Sequence, residues 1–109
     1  MSELLPLIER IHLINRSWKL AQERCSNDVP FSQALRDLKS GVQVQLLRAF
    51  PEHVWLSEDR DTPSDEPLLS VRIAEALSGA LGGRPDADHI PLRVAEELLT
   101  DKEMEIFLK

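Results

Sequence analysis

Leu68-Leu69-Ser70-Val71-Arg72-Ile73-Ala74-Glu75-Ala76-Leu77-Ser78-Gly79-Ala80-Leu81 is the stretch on which the fold turns. Arg72 and Glu75 are its only charges, and Ala74, Ala76, Ser78 and Ala80 are small. A run that is apolar almost all round predicts a helix at the centre of a bundle, where small side chains let neighbouring helices approach. Gly82-Gly83 follows as its stop.

Towards the N-terminus the pattern is more regular. Leu4, Leu7, Ile11, Ile14, Trp18, Ala21 and Cys25 alternate steps of three and four, the spacing of a heptad seam. Ser2 suits a cap, and Glu9, His12, Arg16, Lys19 and Glu23 fall on the opposite side, so an amphipathic helix is predicted over residues 3–25. Leu13 and Leu20, seven residues apart, lie off this seam on another flank. One helix therefore carries two apolar ridges, and a ridge that its own chain leaves uncovered marks a contact.

Ser26-Asn27-Asp28-Val29-Pro30 breaks that helix, and a second is expected from Pro30 to about Lys39, with Gly41 as its stop. Val42 to Leu46 alternates like a strand, yet Val42, Leu46 and Ala49 also suit a helical face that ends at Pro51, and helix is the favoured reading. Residues 57–67 hold five acids, two prolines and Arg60, the composition of an exposed acidic loop. Residues 84–90 read as a polar connection, Pro91 opens a short helix through Leu99, and Thr100-Asp101-Lys102-Glu103 has the form of a capping box for a last helix, Asp101 to Leu108.

These elements predict one all-α domain spanning residues 1–109, an irregular bundle of four or five helices, with an α+β fold containing a small hairpin at residues 42–56 as the alternative. A chain of 109 residues holds one core. At 42% hydrophobic and 29% charged residues it has a globular composition. The net charge of −6 is uneven: residues 1–50 carry +2 and residues 51–109 carry −8. An acidic half disfavours phosphate backbones and anionic membranes, so direct nucleic acid binding is not expected. Cys25 has no second cysteine to pair with. With no apolar run of membrane-spanning length and no basic leader, a cytoplasmic protein is expected.

Reactive constellations are sparse. Glu9-Arg10-Ile11-His12 is half of a di-iron carboxylate site, and no second E-x-x-H completes it, so a solvated helix face is the better account. Asp86, Asp88 and His89 are possible cation ligands, but their spacing fits no calcium loop and a helix-approach loop is favoured. The glycines of Gly79 to Arg84 follow a predicted helix, whereas phosphate cradles precede one. No catalytic, metal or cofactor site is expected.

The functional expectation is therefore a small non-catalytic regulatory or adaptor protein: an anti-activator, a chaperone-like protein or an assembly subunit. It would act by binding another protein, with homodimerisation through the first helix as a natural form and Leu4, Ile11, Leu13, Trp18 and Leu20 as the interface. The alternative is an acidic mimic of nucleic acid that inhibits a basic protein through Glu52, Glu58, Asp59, Asp61, Asp65 and Glu66.

Overall fold

The structure is a computed structural model, and it describes residues 4–24, 29–61, 66–74 and 86–109. Along the chain come α1 (Leu4–Arg24), α2 (Val29–Ala49), β1 (Val54–Asp59), β2 (Leu68–Ile73), β3 (Asp86–Pro91), α3 (Leu92–Leu98) and α4 (Asp101–Phe107). The three strands form an antiparallel sheet in the order β1-β2-β3. The fold is thus α+β, which overturns the all-α bundle and agrees in class with the alternative.

The correction comes from the stretch that decided the prediction. Leu68 to Ile73 is a strand: Leu69, Val71 and Ile73 alternate onto the core face, while Ser70 and Arg72 take the other. A buried strand and a buried helix both read as short apolar runs, and here the branched side chains at alternate positions decide. The rest of the predicted helix, and the glycines after it, lie outside the described residues. Of the hairpin in that alternative, Val54 to Leu56 is strand, as the start of β1, whereas Val42 to Leu46 is helical and β1 pairs instead with β2, from Val54↔Ile73 to Asp59↔Leu68.

Gly41 does not end α2, which runs on unbroken to Ala49. A glycine inside a helix costs about 1 kcal/mol. The cost is outweighed because Val42, Gln43, Leu46 and Leu47 beyond it are all buried against the sheet.

Val54 and Leu56, Leu69, Val71 and Ile73, and Ala87 and Ile90 make the apolar face of the sheet, onto which α1 and α2 pack as an antiparallel pair. Leu4, Leu7, Ile8, Ile11 and Ile14 of α1 join that core, so the predicted seam is core packing. The expected acidic loop is partly strand, because β1 extends through Asp59. Where a helix-approach loop was expected, Asp86–Pro91 is instead β3, with a bulge at Ala87 and Asp88. Asp88 takes φ 62°, a left-handed conformation that Asp tolerates better than most side chains. The capping box at Thr100 forms as its sequence predicts: Glu103 N–H donates to Thr100 Oγ1 at 3.1 Å, and Thr100 N–H donates to Glu103 Oε1 at 3.0 Å.

Both edges of the sheet are engaged. Leu108 forms a parallel bridge to Leu56, and Lys109 N–H donates to the Leu56 carbonyl. On the β3 side, Gln43 Nε2 donates to the carbonyls of Ala87 and His89, and His12 Nε2 lies 3.1 Å from the Asp86 carbonyl. Side chains from the helices thus occupy carbonyls that would otherwise invite another strand.

Candidate functional site

α1 separates the five apolar residues singled out from its sequence. Leu4 and Ile11 are buried in the core. Trp18 is half-buried, with the guanidinium of Arg36 5.7 Å and the ammonium of Lys39 5.8 Å from its ring centre, so it ties α1 to α2 by cation–π contact. Leu13 and Leu20 are 56% and 51% exposed. At 100° per residue these two point away from the sheet while Ile11 and Leu4 point at it.

Lys39 also donates to Asn15 Oδ1 at 3.1 Å. Burial holds its amine below the ordinary 10.5, and the nearby carboxylate of Asp88 opposes that shift. The cluster Asn15, Trp18, Lys39 and Asp88 thereby joins α1, α2 and the bulge of β3. Lys39 is turned on Asn15 and Asp88, while the Trp18 indole N–H is buried without a hydrogen-bond partner.

The acidic residues are spread. Glu58 pairs with Arg60 at 2.8 Å, and Glu66 lies 3.9 Å from Arg36 and 3.5 Å from Arg93. Asp61 is exposed, Glu52 is exposed at the start of the sheet, and Asp65 lies outside the described residues. Asp59 has only 8% of its side chain exposed: Oδ2 meets His89 Nε2 at 2.7 Å and Oδ1 accepts from the Asp61 N–H.

That Asp59–His89 pair spans the face of the sheet opposite the helices, where Ser57, Ser70 and His89 stand in one cross-strand row. Sequence reasoning missed it because Asp59 and His89 are thirty residues apart and only the strand order brings them together. Glu9 is exposed, whereas His12 of the same E-x-x-H turns to the Asp86 carbonyl. Among the described residues no three His, Cys, Asp or Glu side chains are grouped to hold a metal ion. No helix among them is long and apolar enough to cross a membrane.

Compared with protein-family models, curated proteins and solved structures, the chain matches none.

Proposed function

We propose that this chain is a small non-catalytic regulatory or adaptor protein that works by contact with another protein, through the outward side of α1. What supports the reading is the exposure of Leu13 and Leu20 on a helix whose other side already fills the core. The solvent side of such a helix ordinarily carries polar residues, and an apolar pair there offers a surface for a contact. Exposed Glu9, Arg10, Arg16 and Glu23 surround the pair, a polar rim around an apolar centre.

The test is a photo-crosslinking amino acid placed at position 13 or 20 of the protein in its own cell, with position 106 as control because Ile106 is equally exposed on α4. A discrete protein adduct from positions 13 and 20, absent from 106, supports the reading. No adduct, or the same adducts from all three, overturns it.

The acidic-mimic reading has less behind it. Glu58, Asp59 and Glu66 each face a cationic or imidazole partner within the chain, so the charge offered to a basic groove is smaller than the sequence suggests.

A further inference from the structure

Between Arg10 and Leu20 the side chains that α1 leaves exposed are Arg10, Leu13, Arg16, Lys19 and Leu20, each of them a leucine or a cation. The acids of the helix, Glu9 and Glu23, stand beyond the two ends of that stretch. At about 3.6 residues per turn, Arg10 flanks the leucine ridge on one side and Arg16 on the other, with Lys19 further round past Arg16.

Among the described residues none of these three cations is in an ion pair, and Lys19 makes none even with Glu23 one helical turn on, where a pair is within reach. Arg36, Arg48, Arg60 and Arg93, by contrast, each face a carboxylate of this chain. Cations are the scarcer charge, 13 against 19 acids. Three of them left over around an apolar ridge make a patch opposite in sign to the chain as a whole.

We infer that the segment received by this face is acidic as well as apolar: an amphipathic stretch of the partner protein whose apolar residues cover Leu13 and Leu20 and whose carboxylates meet Arg10, Arg16 and Lys19. The inference rests on the protein-binding reading above and gives the partner its chemistry. A leucine ridge alone accepts any apolar surface, whereas the charges around it select among them and speed the encounter. Leu13 and Leu20 stand two turns apart, about 10 Å along the axis, so a helix with apolar residues at the same spacing matches the ridge.

An anionic membrane or a nucleic acid also carries negative charge. As an extended surface, however, it would face the whole chain, whose net charge is −6. A short acidic segment meets the three cations alone.

The crosslinking residue at position 13 tests this once the charges around it are changed. Arg16→Glu with Lys19→Glu should cut the adduct about tenfold, because like charges then face one another across the contact. Arg16→Lys, which keeps the charge, should retain it, and Glu9→Gln with Glu23→Gln should raise it. All four positions are exposed and outside any ion pair, so thermal unfolding midpoints should stay at the parent value. That separates a lost contact from a lost fold.

The partner peptide recovered with the crosslink and sequenced by mass spectrometry should hold more Asp and Glu than Lys and Arg. Cations that serve only to keep the helix solvated would leave the adduct unchanged on charge reversal. That result overturns the inference while the protein-binding reading stands, and so does a recovered peptide that is neutral or basic. Cosedimentation of the purified chain with phosphatidylserine vesicles, lost on the same charge reversal, would assign the cations to a lipid surface and overturn it too. If neither position 13 nor position 20 of the parent chain gives a protein adduct, both readings fail.

Discussion

Gln43 of α2 and Ala87 of β3 are joined by a hydrogen bond of 2.8 Å from the Gln43 amide to the Ala87 carbonyl, at a point where neither side chain is exposed to solvent. The same amide reaches the His89 carbonyl at 3.2 Å. A wholly buried glutamine costs desolvation, and here it satisfies two carbonyls on the outer edge of a strand.

Replacing Gln43 with Leu or Met keeps the volume and leaves both carbonyls without their donor. The expected loss is about 1–2 kcal/mol of unfolding free energy, because two carbonyls lose their donor while the buried, unpartnered Gln43 Oε1 is removed with it. Urea unfolding measures it. Since the substitution also opens the β3 edge, the variant should aggregate more readily than the wild type on partial unfolding. A loss below about 0.5 kcal/mol, the range of ordinary surface changes, would show that the edge is not held by this residue.

How far the sequence foretold this arrangement differs by element. α1 was legible, since a 3–4 spacing sustained from Leu4 to Ala21 has no strand equivalent, and so was the Thr100 box, whose two hydrogen bonds form within four residues. β2 was not legible. Leu69, Val71 and Ile73 alternate for only six residues within a longer apolar run, so the pairing that makes them a strand comes from β1 and β3. Gly41 misled for the same reason, because a local stop signal lost to the burial of residues beyond it. For the candidate surface, spacing separated Leu13 and Leu20 from the seam, but only the fold tells that the seam is the covered side.

Asp88 holds a positive φ in the bulge of β3, a conformation costing roughly 1–2 kcal/mol for ordinary residues and less for Asp or Asn, whose short polar side chains bond locally. Asp88→Asn should therefore keep the backbone conformation, while Asp88→Val should be less stable than Asp88→Asn by at least about 1 kcal/mol, since branching at Cβ is poorly tolerated there. Paired denaturation curves decide it, and equal stabilities would mean that the bulge relaxes.

Arg48 of α2 grips Glu103 of α4 through two hydrogen bonds, 2.8 and 3.0 Å, and its terminal amine also reaches the Leu98 carbonyl at 3.1 Å. That grip, helped by the Thr100 N–H, pulls the Glu103 carboxyl from the ordinary 4.5 to about 2. A carboxylate held below its unfolded value stabilises the fold fully above pH 4.5, and this contribution disappears as pH falls through about 2. In Arg48→Met the Glu103 carboxyl should titrate closer to 4.5 by NMR, and the loss of stability between pH 4.5 and 2 should be shallower than in the wild type. A Glu103 titration unmoved by Arg48→Met would assign the shift to the cap alone.

Lys39 is lowered as well, but by burial, which disfavours its charged form. Its amine is held below 10.5 by burial, so between the folded value and 10.5 the unfolded chain binds more protons than the folded one, and stability rises with pH across that window. Lys39→Met should remove this alkaline rise. It should also loosen Trp18, which loses one of its two cations, so tryptophan fluorescence should shift along with the pH profile. An unchanged alkaline profile would mean that the amine is well solvated.

Ile11 and Leu13 stand two residues apart on α1, one fully buried and the other 56% exposed, and the binding reading rests on that contrast. Truncating Ile11 to Ala leaves a cavity in the buried core that it shares with both helices and the sheet, with an expected cost of about 2–5 kcal/mol. Truncating Leu13 to Ala removes side-chain atoms already in water, and Ala is the better helix former, so stability should stay within about 0.5 kcal/mol of the wild type. Thermal and urea unfolding at low protein concentration, where association contributes nothing, is the measurement. Comparable losses at both positions would mean that Leu13 is covered within its own chain, and the outward ridge on which the binding reading rests would not exist. A loss at Ile11 alone leaves Leu13 as a residue that folding does not need, which is what a contact residue on an otherwise polar helix side requires.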